Sequence, residues 1–167
     1  MKEHFFILLC GLPLAGKSTF YENYLKQSEH IFISTDAYIE RQCKRVGLTY
    51  NQGFDLYIKE ACDDLMQQLM LSIRHQMNII IDQTNLNVKS RKKKLRHIPD
   101  FYHKVAIYLP ITLEESIQRN TRPGKIIPEN VIRSMNDSIK IPTIEEGFDQ
   151  VFVGVDSFVR AYPNHKL

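Results

Sequence analysis

Short apolar runs alternate along the chain with longer segments in which apolar residues recur at helical spacing. The short runs are rich in β-branched and aromatic residues, and polar or glycine-containing segments bound them, which is typical of buried strands. They predict five strands, at Phe5–Cys10, Ile31–Ser34, Asn78–Asp82, Lys104–Leu109 and Val151–Val155.

Helical segments lie between the predicted strands. The clearest is a long helix from about Phe54 to His75, in which Ile58, Leu65 and Leu69 follow the helical period of about 3.6 residues. Further helices are predicted at Thr19–Gln27, Asp36–Arg45, Val88–His97, Leu113–Asn120 and Pro128–Ile139. Because parallel strands need such crossovers, this order predicts a three-layer α/β fold that binds ligands beyond the carboxyl ends of its strands.

Composition narrows the class of protein. The chain has 167 residues, of which 43% are hydrophobic, and this predicts a single domain over residues 1–167. The apolar runs are far shorter than the roughly 20 residues that span a bilayer, and the N-terminal residues lead directly into the first strand without room for a secretion signal. Cys10, Cys43 and Cys62 match no metal or disulfide pattern and are expected to be buried apolar residues. A cytoplasmic protein without membrane contact is therefore expected.

Residues 11–18 carry the most specific chemical signal. Their sequence, Gly-Leu-Pro-Leu-Ala-Gly-Lys-Ser, is the G-x-x-x-x-G-K-[ST] phosphate-binding loop, placed between a predicted strand and a predicted helix. In this motif backbone N–H groups surround the phosphates of ATP or GTP, the lysine reaches the β- and γ-phosphates, and the serine hydroxyl contacts Mg²⁺. The residues expected to bind the nucleotide are Gly11, Leu14, Ala15, Gly16, Lys17, Ser18 and Thr19, with Ser18 also a metal ligand.

Polar side chains follow the second and third predicted strands. Asp36 is a candidate general base for the hydroxyl that accepts phosphate, with a helix cap as the alternative. Asp82 ends an apolar strand in the Walker-B arrangement and is a candidate Mg²⁺ ligand, with a turn aspartate as the alternative. Thr84 and Asn85 are either simple turn formers or residues that hydrogen-bond substrate or fix the loop.

A proline-glycine segment at about residues 120–127 is predicted to form a short lid. Arg119, Arg122 and Lys125 lie on or next to it, and cations opposite the phosphate-binding loop would stabilise charge on the transferred phosphoryl group. The predicted catalytic residues are therefore Lys17, Asp36 and Arg122, and both arginines are expected to contact the nucleotide. A solvated basic loop is the alternative.

A second basic segment covers residues 89–97, where six of nine residues are lysine or arginine. It is predicted to be either a solvated helix face or a surface that contacts the phosphates of a nucleic acid. Because it follows residues 82–87 directly, it would flank a channel for the acceptor at the same edge of the sheet.

Together, the motifs resemble those of the polynucleotide 5′-kinase family. The resemblance covers about residues 5–153 and rests on the phosphate-binding loop and on the segments Ser34–Tyr38, Asp82–Asn87, Arg119–Lys125 and Ile127–Met135. It implies an adenylate-kinase-like P-loop kinase fold, with a parallel five-stranded sheet in the order 2-3-1-4-5 and a short lid. It also implies ATP as the phosphate donor, Mg²⁺ as the cofactor and the 5′ end of a nucleic acid as the partner. Asp36 would then be the general base and Arg122 the lid arginine.

One position departs from the pattern of that family. Phage-type members carry an arginine three residues after the base, where this chain has Ile39. Arg41 is kept as a candidate substrate-binding residue, although it lies about 200° from Ile39 around a helix. A small hydroxyl substrate (a nucleoside, a sugar nucleotide or an antibiotic) is therefore an alternative acceptor, and a nucleotide-binding module with little catalysis is a third possibility. The sequence leaves the choice between DNA and RNA open, and also the oligomeric state.

Overall fold

The computed structural model describes residues 4–163, which contain one sheet of five parallel strands. The strands are β1 (His4–Cys10), β2 (Ile31–Ser34), β3 (Ile79–Asp82), β4 (Tyr102–Tyr108) and β5 (Gln150–Val153). Their order is β2-β3-β1-β4-β5, which confirms the order that the family resemblance implies. The expectation about a secretion signal concerns residues 1–3, which lie outside the described residues.

Helices connect the strands and cover both faces of the sheet. They are α1 (Lys17–Phe20), which continues as a π-helical turn at Tyr21–Leu25, α2 (Thr35–Val46), α3 (Tyr50–Arg74), α4 (Val88–Leu95), α5 (Leu113–Gln118), α6 (Glu129–Asp137) and α7 (Val155–Ala161). A 3₁₀ turn at Ile144–Glu146 precedes β5. Every strand and helix predicted from the sequence is present, with shifted ends.

The central strand β1 is covered on both faces because its side chains alternate between two helical layers. One face packs against α3 and α4, through Phe6, Leu8, Leu69 and Leu95. The other face packs against α1 and α7, through Ile7, Leu9, Phe20 and Phe158. The residues of β1 from Phe5 to Cys10 are therefore buried, and the phosphate-binding loop that follows starts from a rigid base.

Two differences from the predicted elements have local causes. Helix α3 begins at Tyr50 rather than Phe54, because Thr49 caps it and exchanges two hydrogen bonds with Gln52. Strand β5 ends at Val153, since Gly154 follows it with a φ of 79°. Helix α7 then begins at once and was not predicted.

The basic helix α4 is not one uniform surface. Arg91 is fully buried, and its guanidinium donates two hydrogen bonds of 2.7 and 2.6 Å to the carboxylate of Glu146. Lys94 is also buried and donates to Oδ1 of Asn85 at 2.7 Å, and burial lowers the pKa of Lys94 to about 8. The prediction of a solvated or phosphate-facing surface is therefore wrong for these two cations, which anchor α4.

The cysteines follow the expectation in part. Cys10 and Cys43 are buried free thiols, whereas Cys62 is half-buried and also free. Burial raises the pKa of Cys10 to about 12, so this thiol stays protonated at neutral pH. None of the described helices combines the length and the apolar character that crossing a membrane requires.

Candidate active site

The loop between β1 and α1 takes backbone conformations that depend on its two motif glycines. Gly11 has a φ of 148°, and a Cβ atom at this position would lie 2.7 Å from the carbonyl oxygen of Leu109. Gly16 has a φ of 88° and directly precedes the first residue of α1. Leu14, with a φ of 65°, also lies in the left-handed region. The curve of the loop is therefore set by residues of the phosphate-binding motif.

Lys17 folds back into this curve. Its Nζ atom donates to the carbonyl oxygens of Gly11 at 3.0 Å and of Leu12 at 2.8 Å. Burial lowers the pKa of Lys17, while the negative charges of Asp82 and Asp36 oppose this shift. The ammonium group thus lies inside the loop and within the electrostatic reach of both strand-end aspartates.

The two aspartates lie beside the loop because β3 and β2 continue the sheet from β1. The strand register pairs Asp82 with Leu9 of β1 on one side and with Ser34 of β2 on the other. Burial raises the pKa of Asp82, and the charge of Lys17 acts in the opposite direction. Asp36 is the second residue of α2 and is exposed. Charged groups from three separate motifs therefore meet at one edge of the sheet.

Asp36 is held by groups from two other elements. The hydroxyl of Tyr50, at the start of α3, donates to Oδ1 at 2.8 Å, and Nζ of Lys125 donates to Oδ2 at 2.9 Å. The same ammonium donates to Oε1 of Glu40 at 2.8 Å and lies 4.3 Å from the centre of the Tyr50 ring. Burial and the charge of Asp36 raise the pKa of Tyr50, so its hydroxyl remains a donor at neutral pH.

Sequence reasoning missed two of these neighbours, Glu40 and Tyr50. Glu40 lies one helical turn after Asp36, and this spacing could have identified two carboxylates on one face of α2. The contact of Tyr50 depends on how α3 crosses α2, which no local pattern reveals.

The predicted lid, residues 120–127, is a loop between α5 and α6 that contacts α2 and α3. Arg122 donates to Oε1 of Glu40 at 3.0 Å, and Asn51 exchanges two hydrogen bonds of 2.7 Å with the backbone of Ile126. Arg119 lies elsewhere, with Nη1 donating to the carbonyl oxygen of Leu14 at 3.2 Å. Arg119 therefore contacts the phosphate-binding loop, whereas Arg122 contacts the acidic face of α2.

Thr84 and Asn85 support the loop from below. The carbonyl oxygen of Thr84 accepts a hydrogen bond from the N–H of Gly11 at 2.9 Å. Asn85 is 2% exposed with a φ of 46°, and its Nδ2 donates to the carbonyl oxygen of Leu9 at 2.8 Å. Its Oδ1 accepts from Lys94, so the side chain is engaged within the protein. These contacts favour, for Asn85, the alternative that it fixes the loop over substrate contact.

Ile39 and Arg41 do not join Asp36. Ile39 is completely buried and packs with Tyr38 and Cys43 in the cluster that joins α2 to α3. The guanidinium of Arg41 lies 5.3 Å from the centre of the Tyr38 ring, about 140° around α2 from Asp36. The prediction that Arg41 binds substrate has no support in this arrangement.

The donor atoms at the loop fit a nucleotide with Mg²⁺. The hydroxyl of Ser18 and the carboxylate of Asp82 are oxygen ligands, the kind that Mg²⁺ prefers. Among the described residues, no group of three or more His, Cys, Asp or Glu side chains could hold a metal ion. The close approach of the backbone at Gly11 suits a phosphate-binding cradle.

The family comparison matches the part of the chain that contains the candidate site. A family model described as an AAA domain matches residues 6–142, which include the loop, both strand-end aspartates and the lid. The chain belongs to this family. The matched region of the AAA domain ends before β5, so the edge strand and α7 lie outside the match.

Individual relatives of the AAA domain are distant. This chain is 27% identical over 158 residues to the L-seryl-tRNA(Sec) kinase of Methanococcus maripaludis, and the match covers 90% of this chain and 58% of that protein. This chain therefore spans less than two-thirds of the length of that relative.

Solved structures share the fold at low identity. Shikimate kinase from Aquifex aeolicus matches with a TM-score of 0.58 and 16% identity, over 95% of this chain and 94% of that chain. A chain of the Pnkp1/Rnl/Hen1 RNA repair complex matches with a TM-score of 0.66 and 20% identity, over 88% of this chain and 47% of that chain. The sheet order and these matches identify a P-loop kinase fold.

Proposed function

We propose that this AAA domain is an ATP-dependent kinase that uses Mg²⁺ and transfers the γ-phosphate to the 5′-hydroxyl of a polynucleotide. The observation that carries the proposal is the placement of Lys17, Asp82 and Asp36 at the carboxyl ends of adjacent strands. In this proposal the ammonium of Lys17 binds phosphate, the carboxylate of Asp82 binds the metal and Asp36 is the base. These groups follow one another along the edge of the sheet. The motifs shared with polynucleotide 5′-kinases indicate the acceptor.

The reaction forms a bond from the acceptor oxygen to the γ-phosphorus and breaks the bond from that phosphorus to the β–γ bridging oxygen. Asp36 takes the proton of the acceptor hydroxyl. Among residues 4–163 each carboxylate oxygen of Asp36 accepts one hydrogen bond, and it retains a second lone pair for that hydroxyl. Lys17 exchanges the two loop carbonyls for oxygens of the β- and γ-phosphates.

Ser18 and Asp82 are the residues that would hold Mg²⁺, which supplies neutralisation of the phosphate charge when bound. Arg119, at the end of α5 just before the lid, contacts the phosphate-binding loop and would contact the nucleotide. Arg122 and Lys125 would reach the transferred phosphoryl group only after leaving Glu40 and Asp36. In this proposal the lid over residues 120–127 excludes water from the site.

A separate observation favours a second class of acceptor. Asp36, Glu40 and the ring of Tyr50 surround the ammonium of Lys125, and the same groups would hold an ammonium of a substrate. The burial of Ile39 also leaves no counterpart to the acceptor-gripping arginine of phage-type kinases at that position. A hydroxyl next to a protonated amino group, as in the L-seryl group that the Methanococcus relative is named for, would suit this wall.

The test is phosphate transfer from γ-labelled ATP with Mg²⁺ to 5′-hydroxyl DNA, 5′-hydroxyl RNA and a seryl-tRNA in parallel. We expect label on an oligonucleotide 5′ end with the wild type and none with Lys17→Ala. Asp36→Asn should bind ATP as before and transfer phosphate at least about 100-fold more slowly. Arg41→Gln, on the same helix but away from Asp36, is the matched control and should retain transfer.

Each outcome has a distinct meaning. If only seryl-tRNA is labelled, the acceptor is a hydroxyl next to a protonated amino group rather than the 5′-hydroxyl of a polynucleotide. Absence of label on every acceptor, with ATP still bound, would contradict both. Full activity in Asp36→Asn would remove Asp36 from the role of general base.

A further inference from the structure

We propose that the exposed cations of α4 form a binding surface for the phosphates of the acceptor strand behind its 5′ end. This surface, called the α4 stripe below, consists of Lys89, Lys92 and Lys93 of α4 and of Arg96, which caps its C-terminal end. The proposal rests on the proposed polynucleotide kinase function and adds the path of the substrate chain, which that function does not specify.

The α4 stripe occupies one side of the helix. A helix turns by about 100° per residue, so these four positions fall within a sector about 100° wide. With a rise of about 1.5 Å per residue they extend over about 10 Å, which is long enough to contact more than one phosphate of a strand. Arg91 and Lys94 are buried on the opposite side, so the exposed cations form a continuous row.

Helix stability accounts for only part of the α4 stripe. Lys92 and Lys93 lie in the last turn, where the helix dipole favours cations. Lys89 lies in the first turn, where the dipole disfavours a cation, and that turn contains no acidic residue. Its like charge three and four residues before Lys92 and Lys93 also weakens the helix. Within residues 4–163 none of the four side chains of the stripe has an ion-pair partner. A row of exposed cations with no described internal anion is open to an external anion.

The α4 stripe begins beside the candidate site. Helix α4 starts at Val88, six residues after Asp82 at the carboxyl end of β3. A pocket of only about 50 Å³ lies between α3 and α4, lined by Cys62, Leu65, Met66, Gln83, Lys93 and Lys94. Nε2 of Gln83 donates to Oγ1 of Thr35 at 3.2 Å, and Thr35 directly precedes Asp36. A strand whose 5′-hydroxyl lies at Asp36 would therefore pass over Gln83 at the surface and cross the α4 stripe.

Charge and position together select the occupant. A row of unpaired cations is complementary to a polyanion, and its connection to the site favours the acceptor over an unrelated acidic partner. The lid offers no equivalent surface, since Arg122 and Lys125 are paired with Glu40 and Asp36.

The experiment compares two triple variants of the full chain. The stripe variant carries Lys89→Gln, Lys92→Gln and Lys93→Gln. The control variant carries Lys44→Gln, Arg45→Gln and Lys59→Gln, which remove the same charge from exposed positions of α2 and α3. Binding of a fluorescent single-stranded 5′-hydroxyl oligonucleotide of about 12 nucleotides is measured by anisotropy over about 50–200 mM salt. Phosphorylation of this oligonucleotide and of a dinucleotide is measured in parallel.

We expect about tenfold weaker binding of the long oligonucleotide by the stripe variant at low salt. Its slope of log K against log salt should be shallower by about 2, because each lost phosphate contact of a single strand contributes about 0.7. The kcat and the KM for the dinucleotide should be unchanged, and the control variant should match the wild type. Equal effects in both variants, or unchanged binding in the stripe variant, would overturn the proposal even where the wild type is an active kinase.

Two further outcomes separate this proposal from the proposed function. Binding of the oligonucleotide through the α4 stripe without phosphorylation would overturn the kinase function and support the surface. Stripe-dependent binding of anionic lipid vesicles in preference to the oligonucleotide would overturn the choice of occupant.

Discussion

The lid and α4 are two basic segments of this AAA domain, and they use their cations in different ways. In the lid, Lys125 and Arg122 form ion pairs with carboxylates of α2 at the protein surface. In α4, Arg91 and Lys94 are buried, while the four cations of the α4 stripe are exposed without a described acidic partner. In the sequence both segments are runs rich in lysine and arginine. What distinguishes them is which carboxylates, if any, their cations contact in the fold.

The difference separates structural cations from exchangeable ones. Removing one member of a buried pair leaves an uncompensated charge and is costly, whereas an exposed pair contributes little. The side chain of Asp36 is 55% exposed, so its contact with Lys125 belongs to the exposed kind. The contact between Arg91 and Glu146 has exposures of 0% and 6% and is a permanent part of the fold.

The largest expected effect is on stability, from breaking the buried pair of α4. Arg91→Met should lower the free energy of unfolding by about 3–5 kcal/mol, because Glu146 loses its buried charge partner. Urea unfolding followed by circular dichroism measures this change.

The neighbouring variant Lys92→Met is the matched control. Lys92 is exposed on the same helix, and its substitution should change stability by less than about 0.5 kcal/mol. Similar losses in both variants would show that α4 depends on its overall charge rather than on one buried pair.

The second effect is a pH dependence that comes from Lys94. Burial lowers its pKa from the ordinary 10.5 to about 8, so the folded protein releases this proton first as the pH rises. Between about pH 8 and 10.5 the unfolded state binds more protons, and stability therefore rises with pH. Relative to Lys94→Met, the wild type should gain up to about 3 kcal/mol over this range. Urea midpoints at successive pH values measure the difference, and parallel profiles would contradict it.

The contrast between the two segments also marks the limit of sequence reasoning. The strands and helices, the conformation of the phosphate-binding loop and the positions of Asp36 and Asp82 follow from motifs and periodicity, which are local signals, whereas the strand order follows only from the family resemblance. The burial of Arg91 depends on Glu146, which is 55 residues away, and no local pattern connects them.

The candidate site shows the same limit. Glu40 could have been recognised from its one-turn spacing after Asp36, but Tyr50 reaches Asp36 only through the packing of α3 on α2. The division of Arg119 and Arg122 between two sides of the site depends on how the loop between α5 and α6 turns. Motifs identify the residue types of this site, whereas long-range packing determines their partners.

A smaller effect concerns the Tyr50 hydroxyl on the lid side of the site. Tyr50→Phe removes the 2.8 Å hydrogen bond to Asp36 and keeps the ring beneath Lys125. We expect about a tenfold fall in kcat with unchanged affinity for ATP, since one hydrogen bond to a charged group is lost. The pH profile of kcat should also shift, which a purely structural role would not produce. Tyr57→Phe, on the same helix but packed against α2, is the control and should retain full transfer.

The smallest effect comes from the exposed ion pairs of the lid. Glu40→Gln removes the charge shared by Arg122 and Lys125, and exposed pairs contribute only about 0.2–1 kcal/mol each. Amide hydrogen exchange at Ile126 should therefore accelerate only about two- to five-fold, while Glu22→Gln, which breaks an exposed pair on another helix, should leave it unchanged. If exchange at Ile126 stays at the wild-type rate, the hydrogen bonds from Asn51 hold the lid in place. The difference between the lid and α4 would then lie in the backbone hydrogen bonds of the lid. Arg122 and Lys125 could in that case leave their carboxylate partners for the substrate without detaching the lid from α3.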